Sequence, residues 1–419
     1  MENIDSKANY CLGCIKKPCS TTCPLNNDIA GFIKFIKEKE YKKAYELLCE
    51  TTVLQAICGR VCPHTKQCQK KCIRGIKGEP VNIGELEAYV GDLAIKDNWQ
   101  IPKTLNNVAE NKKIAVIGGG PCGLTCAAFL AKQGYKITIY EKHKKLGGIL
   151  SYGIPQFRLD TKIVEATIAK IINLGIQVKL ECELGKDFTI EELEKEYDAI
   201  FLSFGANISN KMNIEGEQLQ GVYGGNELLE YNTHPDYTNK KIAVIGGGNV
   251  AMDTARTIKR LGAKSVTVIY RRAEEQMPAE KKEIEEAKNE GIEFLFQTNI
   301  LKILGNGKVE KIECIKTELK QKEGETRLSP VNIENSNYYK DIDYVIMSVG
   351  SSPEANITKT LNIEKDSKGR IQVNENNQTS NPKIFAGGDI IGETSTVAWA
   401  ARSGRNSAQS IIDFLKKQS

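Results

Sequence analysis

Histidine and long apolar runs are both scarce in this sequence. Its 419 residues contain three histidines, His64, His143 and His234, which are too scattered to form a metal site or a catalytic triad. No apolar run approaches the roughly 18 residues that a membrane helix needs. The first ten residues are polar, so neither a membrane span nor a signal peptide is expected. We therefore expect a cytoplasmic protein.

Charge imbalance is also small. A net charge of +5 is not concentrated in one arm, so nothing indicates binding to nucleic acid or to a membrane. The length predicts two or three domains. In a reducing compartment the 13 cysteines are not expected to form disulfides, and nine of them precede residue 73, which suggests metal chemistry.

A glycine-rich turn organises the chain. An apolar strand runs straight into Gly118-x-Gly120-x-x-Gly123, and a small-residue helix follows. Free backbone N–H groups and the helix dipole at such a turn suit a pyrophosphate, although a glycine turn without a ligand is the alternative. The next strand, residues 136–140, ends at Glu141, where an acid can hold a ribose hydroxyl. The candidate residues are Gly118, Gly120, Pro121, Gly123, Glu141 and Lys142.

The same motif occurs a second time. Gly246-x-Gly248 follows an apolar strand, and Ala251 takes the third glycine place, where the residue packs helix against strand. The following strand ends in Arg271 and Arg272, and guanidinium groups there favour NADPH over NADH. A solvated charge pair is the alternative. The candidate residues are Gly246, Gly248, Asn249, Val250, Ala251, Asp253, Arg271, Arg272 and Gly350.

Two such motifs predict two bound dinucleotides, and the C-terminal residues predict that one is a flavin. A buried strand at 383–386 leads to Gly388 and Asp389, which can meet the ribityl or pyrophosphate part of a flavin. The final helix, 396–415, would direct its N-terminus to the flavin ring. This segment belongs with the first motif, so the first nucleotide domain is expected to be discontinuous. Further candidates, with ordinary loop structure as the alternative, are Gly148, Arg158, Gly205, Gly388, Asp389 and Thr396.

Cysteine spacing predicts an iron–sulfur module at the N-terminus. One set reads Cys11-x2-Cys14-x4-Cys19-x3-Cys23-Pro, and the second lies between residues 58 and 72. Cys-Pro recurs at iron–sulfur sites, whereas a zinc ribbon normally pairs two Cys-x-x-Cys knuckles and only one is present here. Zinc remains the rival. The second set consists of Cys58, Cys62, Cys68 and Cys72; Cys58 is either a ligand or a buried core residue, and in the latter case Glu87 is a candidate oxygen ligand.

The second nucleotide segment contains no Cys-x-x-Cys, which argues against a self-contained thiol reductase. Cys122 and Cys126 are spaced i, i+4 on the first nucleotide helix, where disulfide geometry is poor. Both are expected to be core residues.

At this point the motifs resemble a known family. Over nearly the whole chain the sequence is similar to FAD- and iron–sulfur-containing NAD(P)H oxidoreductases, which include the small subunit of bacterial glutamate synthase and the flavin subunit of dihydropyrimidine dehydrogenase. The motifs are Cys-Gly-Arg-Val-Cys-Pro at 58–63, Asn-Ile-Gly at 82–84, Gly-Ile-Pro-Gln-Phe-Arg-Leu at 153–159, Tyr-Arg-Arg at 270–272, Met-Pro-Ala at 277–279 and Ile-Phe-Ala-Gly-Gly-Asp at 384–389.

The resemblance implies FAD, a nicotinamide nucleotide and two 4Fe–4S clusters. One cluster would be held by Cys11, Cys14, Cys19 and Cys72, and the other by Cys23, Cys62, Cys68 and Glu87, with Cys58 as a non-ligand. The sequence departs from the usual pattern at Cys122, at residues 203–205 and at Trp399; for the last two, FAD binding is still expected with altered surroundings of the flavin.

The expected architecture is α/β, with two Rossmann-like nucleotide-binding domains of glutathione-reductase type after a helical iron–sulfur domain. The expected segments are 1–108 (iron–sulfur), 109–206 and 351–419 (FAD) and 207–350 (NAD(P)H), with crossings at 201–207 and 349–354.

The expected function is electron input from NADPH through FAD and the clusters to a larger partner subunit, first of all the glutamate synthase large subunit. No catalytic acid or base is required for hydride transfer. No amidotransferase domain or FMN barrel is found in this sequence, so glutamine or pyrimidine chemistry is not expected in it. The alternatives are an NAD(H)-dependent dihydropyrimidine dehydrogenase subunit, a self-sufficient flavin reductase and a non-catalytic redox sensor.

Overall fold

The computed structural model describes residues 4–104, 111–321 and 328–418. None of the helices in these ranges is long and apolar enough to cross a membrane. The chain divides into two compact units, Met1–Ala206 with Pro353–Ser419, and Asn207–Ser352. The limits of the four sequence segments stay predictions.

The helices and strands are as follows. The helices are α1 (Ile4–Asn9), α2 (Pro18–Thr22), α3 (Ile29–Lys37), α4 (Tyr41–Leu48), α5 (Gln55–Val61), α6 (Ile83–Lys96), α7 (Pro121–Lys132), α8 (Ile149–Tyr152), α9 (Thr161–Ile172), α10 (Ile190–Glu196), α11 (Gly225–Tyr231), α12 (Asn249–Arg260), α13 (Lys281–Asn289), α14 (Ala355–Thr360) and α15 (Val397–Lys416). The strands are β1 (Lys113–Ile117), β2 (Lys136–Tyr140), β3 (Gln177–Lys179), β4 (Ala199–Leu202), β5 (Ile208–Ser209), β6 (Val222–Gly224), β7 (Lys241–Ile245), β8 (Ser265–Tyr270), β9 (Glu293–Phe296), β10 (Thr298–Leu304), β11 (Lys311–Lys320), β12 (Ser329–Asn332), β13 (Tyr338–Asp341), β14 (Tyr344–Met347), β15 (Ser351–Ser352) and β16 (Ile384–Ala386). Short 3-10 helices cover Cys68–Lys71, Ile73–Ile76, Glu274–Gln276 and Gly388–Ile391.

The N-terminal part of the first unit is helical. The side chain of Asp28 accepts the Gly31 N–H at 2.9 Å and caps α3, since the first N–H groups of a helix lack partners within it. Helices α5 and α6 lie in close contact: a Cβ atom on Gly59 would lie 2.4 Å from the Ala88 nitrogen. The core of this part is formed by Leu25, Ile29, Phe32, Ile33, Ile36, Leu48, Leu54 and Ile57.

The first sheet is parallel and has the order β16-β4-β1-β2-β3. Strand β16 comes from the C-terminal segment and pairs with β4, which confirms the predicted discontinuous nucleotide domain. Helix α15 packs against α7 so closely that a Cβ atom on Gly404 would lie 2.1 Å from the Cys122 carbonyl oxygen. These two helices are far apart in sequence but pack directly against each other.

The second unit contains a parallel sheet of order β6-β14-β7-β8-β9. An antiparallel sheet follows, in which β11 pairs with β10, β12 and β13. The sequence patterns predicted β7 and β8 of the first of these sheets. For the second they predicted only a polar surface hairpin at 318–339, where β11 and β12 pair antiparallel. The predicted α/β class with two Rossmann-like sheets is confirmed.

Candidate cofactor-binding sites

Four cysteines of the N-terminal part line a single cavity. They are Cys11, Cys14, Cys19 and Cys72, and the apolar side chains of Ile29, Ile33, Val81 and Ile83 complete its wall. The Val81 N–H donates to the Cys72 sulfur at 3.4 Å, and the Gly13 N–H donates to the Cys11 sulfur at 3.5 Å. Hydrogen bonds to sulfur and an apolar wall are features that tune iron–sulfur clusters, so these residues fit a cluster.

A second group of acidic side chains is buried nearby in the same unit. Burial, followed by the Glu87 carboxylate, raises the pKa of Cys23 to about 12. Burial, followed by Cys23 and Glu87, raises the pKa of Cys68 well above its usual range. Thiolates in such a dry place are unfavourable unless a positively charged centre lies among them. The donor set of Cys23, Cys62, Cys68 and Glu87 therefore also fits a cluster.

Glu87 and Cys58 both lie beside Cys62. A hydrogen bond to Cys58 is the first cause that raises the pKa of Cys62, followed by burial. Glu87 is only 5% exposed, although a helical glutamate is usually exposed, and burial raises its pKa to about 8. The Asn27 side-chain amide donates to its carboxylate at 3.2 Å. The burial of Glu87 follows from the close packing of α5 on α6, which no sequence pattern reveals.

A site for a single metal ion differs from a cluster site, because its ligand atoms all meet at one point. Within residues 4–104, 111–321 and 328–418, no three His, Cys, Asp or Glu side chains stand close enough together to hold one metal ion. A 4Fe–4S cluster places its ligands around a core of several atoms, and thiols that line a cavity correspond to that arrangement.

The first glycine turn has the shape that a dinucleotide requires. Gly118 has φ +100°, and a Cβ atom on Gly123 would lie 2.0 Å from the Gly118 carbonyl oxygen, so both positions require glycine. The space beside Gly120 is open, with the nearest neighbouring atom, the Gly148 Cα, 3.9 Å from a Cβ built there. The Glu141 carboxylate accepts the Gly119 N–H at 2.8 Å and is thereby held at the turn. This cradle fits the pyrophosphate and ribose of a dinucleotide.

Several loop candidates surround this turn. Gly148 has φ +51°, and a Cβ atom built on it would lie 2.9 Å from the Gly120 Cα. The loop that carries Gly148 therefore lies against the glycine turn. Lys142 forms an ion pair with Glu354 at 3.9 Å. Gly205 has φ +77° where the chain leaves β4. Arg158 lies before α9, and its N–H donates to the Pro155 carbonyl at 2.9 Å.

The C-terminal candidates follow β16, the edge strand of the first sheet. Burial raises the pKa of Asp389 to about 6, and a hydrogen bond from Ser395 opposes that shift. Gly388 has φ +76° and donates its N–H to the Ser403 hydroxyl at 3.0 Å. Thr396 caps α15 by accepting the Trp399 N–H at 3.3 Å. A helix N-terminus beside a buried carboxylate fits the polar edge of a flavin.

Sequence reasoning missed three side chains that support this unit. Ser203 donates its hydroxyl to the carbonyls of Ile117 and Gly118, at 3.0 and 3.1 Å, and Ser403 holds Gly388 as described. Arg405 of α15 donates to the carbonyls of Leu25 and Thr51, both at 2.7 Å, and so links the flavin-side helix to the cysteine-rich part. Ser203 had a sequence signal, because it lies in the stretch 203–205 that departs from the family pattern; Ser403 and Arg405 had only their position inside the predicted final helix.

The second glycine turn has the same backbone form. Gly246 has φ +140°, and its Cβ would lie 2.2 Å from the Ser348 carbonyl oxygen. The space at Gly248 is open, with the Pro278 ring 4.0 Å from a Cβ there. Asn249 accepts the Glu280 N–H at 3.2 Å, which ties the Met-Pro-Ala stretch to the turn. Val250 follows in the first turn of α12, where Ala251 and Asp253 are buried.

The two predicted arginines lie at the end of β8. The Arg271 carbonyl accepts the Thr317 hydroxyl at 2.9 Å, and the Arg272 carbonyl accepts the Gln297 N–H at 3.0 Å. The Arg271 side chain is exposed. The Arg272 Nε is buried and has no hydrogen-bond partner among the described residues. A donor in that state fits an anionic ligand such as a phosphate.

A further polar cluster in this unit was not predicted. Within the described chain, Glu227 Oε2, Thr254 Oγ1 and Ser348 Oγ are buried without hydrogen-bond partners. A Cβ atom on Gly225 would lie 2.4 Å from Ser348 Oγ and 3.1 Å from Thr254 Oγ1, so two of these atoms adjoin one glycine. The predicted Gly350 follows β14 with φ +106°, and its carbonyl accepts the Asn210 N–H at 2.9 Å.

Two family models match the chain. The model described as pyridine nucleotide-disulphide oxidoreductase matches residues 112–404. The model described as dihydropyrimidine dehydrogenase domain II, 4Fe-4S cluster, matches residues 1–99. Together they cover the two nucleotide-type turns and the cysteine-rich part.

Similar proteins cover nearly the whole chain. The glutamate synthase [NADPH] small chain of Escherichia coli (strain K12) is 35% identical over 98% of this chain and 91% of its own length. The NADP(+)-dependent formate dehydrogenase subunit beta of Moorella thermoacetica is 33% identical over 96% of this chain and 60% of its own length.

Solved structures support the fold. The NADPH complex of Mycobacterium tuberculosis FprA has a TM-score of 0.66 at 20% identity and covers 73% of this chain and 85% of that one. The thioredoxin reductase of T. acidophilum has a TM-score of 0.54 at 19% identity and covers 74% of this chain and 100% of that one. With these matches, the chain belongs to the pyridine nucleotide-disulphide oxidoreductase family, among the members that carry an N-terminal 4Fe-4S domain and include the small chains of bacterial glutamate synthases.

Proposed function

We propose that this protein is the electron-input subunit of a larger oxidoreductase, which oxidises NADPH and delivers the electrons to a partner subunit. The observation that carries the proposal is the presence, in one chain, of two dinucleotide-type glycine turns and a cavity lined by four cysteines. A chain with only one glycine turn would bind a single dinucleotide. The cysteine-lined cavity adds a place where single electrons can be held.

The first unit would hold FAD. Gly118 and Gly123 allow the tight turn, Gly120 leaves room for the pyrophosphate, and the Glu141 carboxylate would accept a hydrogen bond from a ribose hydroxyl. Asp389 and the N-terminus of α15 would orient the remainder of the molecule. The other proposed FAD residues are Pro121, Lys142, Gly148, Arg158, Gly205, Gly388 and Thr396.

The second unit would hold NADPH. Gly246 allows the tight turn, Gly248 leaves space at the N-terminus of α12, and the unpaired Nε of Arg272 supports a 2′-phosphate at the end of β8. The other proposed NADPH residues are Asn249, Val250, Ala251, Asp253, Arg271 and Gly350.

Two 4Fe–4S clusters are proposed, with the ligands Cys11, Cys14, Cys19 and Cys72 for one and Cys23, Cys62, Cys68 and Glu87 for the other. When bound, the flavin accepts a hydride and the clusters carry single electrons. The residues of this chain would bind and orient these groups. Hydride transfer requires no side-chain acid or base, so we assign no catalytic residue.

The proposal also includes the identity of the partner subunit. The relatives are named as a small chain and as a subunit beta, which supports a partner subunit. A large subunit of glutamate synthase is the first candidate, and it would carry the site of the terminal substrate.

An anaerobic titration tests the function. Purified protein is mixed with NADPH or with NADH while flavin and cluster absorbance are followed. We expect rapid bleaching of both chromophores by NADPH and much weaker bleaching by NADH. Bleaching by NADH alone would contradict the arginine assignment and favour a catabolic dehydrogenase subunit. No bleaching by either nucleotide would favour a redox sensor, and steady NADPH turnover with a small physiological acceptor would favour a self-sufficient reductase.

A further inference from the structure

The loops around the first cysteine cavity carry four exposed aliphatic side chains. Ile15 is 97% exposed, Ile76 76%, Leu12 53% and Ile73 42%. Single exposed aliphatic residues are ordinary, but a group of them within two neighbouring loops marks an interaction surface. We call these four residues the cysteine-loop surface.

Two residues of this surface line the cavity. Leu12 and Ile73 do so together with the four cysteines, and Ile15 directly follows Cys14. Leu12 and Ile73 are also exposed, so a protein that contacts them would lie close to a group bound by these cysteines.

The two loops form one connected structure. Arg74 Nε donates to the Tyr10 carbonyl at 2.7 Å, and its guanidinium lies 4.3 Å from the centre of the Tyr10 ring. The Tyr10 hydroxyl donates to the Glu79 carbonyl at 3.1 Å. The loop that carries Leu12 and Ile15 is thus tied to the loop that carries Ile73 and Ile76. A surface that is ordered before binding loses less entropy on association.

The two segments that carry the cysteine-loop surface are rich in positive charge, although one of their lysines, Lys17, is paired with Asp28. Residues 10–20 and 65–79 contain seven cationic side chains and a single acid, Glu79. The seven are Lys16, Lys17, Lys66, Lys70, Lys71, Arg74 and Lys77. Lys16, Lys70, Lys71 and Lys77 are exposed, and none of these four makes an ion pair with a residue in the described part of the chain. The whole protein has a net charge of only +5, so this concentration is local.

We propose that the cysteine-loop surface docks an electron-accepting protein that presents an apolar patch surrounded by acidic residues. This inference rests on the proposed function, because electrons must leave the protein at some face. The cationic side chains attract and orient the acidic partner, and the aliphatic centre supplies the contact that excludes water. Nucleic acid would use the lysines but not the aliphatic centre.

The redox balance of the step is simple. One NADPH is oxidised to NADP+ with release of one proton, and its two electrons reduce two one-electron acceptor proteins. The acceptor protein is the only co-reactant that the proposal adds.

The test uses acceptors of opposite charge. NADPH-driven reduction is measured at low and high ionic strength with an acidic flavodoxin, with a basic cytochrome c and with uncharged menadione. For the intact protein we expect faster reduction of the flavodoxin at low salt, loss of that advantage at high salt, and the reverse salt dependence for cytochrome c.

Matched variants locate the effect. Lys70→Glu with Lys71→Glu should lower kcat/KM for the flavodoxin at least tenfold at low salt, since steering changes association rates by roughly 10- to 1000-fold. Lys416→Glu with Lys417→Glu, a second exposed lysine pair of the same unit, should change it less than twofold. Ile76→Ser, which is four residues from Cys72, should lower it several-fold, whereas Leu180→Ser should not. Menadione reduction and iron content should be unchanged in all four variants.

The outcomes separate this inference from the proposed function. If NADPH fails to bleach the flavin and clusters in the anaerobic titration, the proposed function is wrong, and this result does not depend on any acceptor protein. If bleaching is normal but the Lys70/Lys71 and Lys416/Lys417 variants behave alike, the docking surface is wrong. Sedimentation with phosphatidylglycerol vesicles that depends on Lys70 and Ile76, without an effect on flavodoxin, would assign the surface to a membrane instead.

Discussion

The two glycine turns share one backbone design and differ in the side chains around it. Both place a positive-φ glycine against a neighbouring strand end: Gly118 against the Ser203 carbonyl and Gly246 against the Ser348 carbonyl. The Glu141 carboxylate is held at the first turn, whereas the corresponding strand of the second unit ends at Arg271 and Arg272. A backbone of this form suits the pyrophosphate common to all dinucleotides, and we propose that the residues at these strand ends decide which dinucleotide binds.

A substitution at the third glycine position of the motif is expected to have the largest effect on cofactor content and stability, and this effect should differ between the two turns. Gly123 has no room for a Cβ atom, which would lie 2.0 Å from the Gly118 carbonyl, whereas the second turn already accommodates Ala251. Gly123→Ala should remove most of the bound FAD and destabilise the first unit by about 1–3 kcal/mol, as overpacking does. Flavin content and a thermal unfolding scan measure both effects.

Ala251→Gly is the matched change in the other turn. It should cost only about 1 kcal/mol, the helix propensity of alanine over glycine, and leave flavin content unchanged. Equal flavin loss in the two variants would show that the turns do not differ in the way we describe.

The arginine pair should produce an intermediate effect that depends on the nucleotide. Arg271→Gln with Arg272→Gln should lower kcat/KM for NADPH roughly 10- to 100-fold, because a hydrogen bond to a charged group contributes about 1.5–3 kcal/mol. The value for NADH should be unchanged. Lys264→Gln, at the opposite end of β8, is the control and should affect neither nucleotide. A parallel loss with both nucleotides would contradict recognition of a 2′-phosphate.

The smallest effect concerns the strand ends on the flavin side. Burial raises the pKa of Asp389, which follows the edge strand β16, to about 6; the same edge of the second sheet is formed by β6, and Glu227 of α11 follows it. The folded chain therefore binds the Asp389 proton more tightly than the unfolded chain. Its contribution to stability is complete below the unfolded pKa, near 4, and is lost as the pH rises through 6.

Asp389→Asn removes that dependence. Flavin-free Asp389→Asn protein should be more stable than the flavin-free parent at pH 8, by on the order of 2 kcal/mol, and similar to it at pH 4. Urea unfolding of both proteins at the two pH values measures the difference, and contributions from other titrating groups such as Glu87 cancel in it. An equal difference at pH 4 and pH 8 would contradict the role of burial.

Local patterns were enough to predict the strands on either side of each glycine turn and its helix, β1, β2, β7 and β8, together with β16, but not β3, β4, β6 and β9. Strand, glycine turn and helix follow one another within about twenty residues, so propensity and backbone conformation act together there. The antiparallel sheet of β10 to β13 was not predicted, apart from a surface hairpin at 318–339. Its strands are half-buried, and their pairing joins segments whose individual patterns are weak.

Spacing along the chain was enough to predict the positions that need glycine, the acid or arginine at each strand end and the clustering of cysteines, because each of these depends on neighbouring residues. Tertiary structure decided what depends on distant segments. It buried Glu87 through the contact of α5 with α6, brought Ser403 to Gly388, and joined the loops of Leu12 and Ile76 through Arg74 and Tyr10. Burial and charge at these places arise only when separate segments pack together, which no local spacing records.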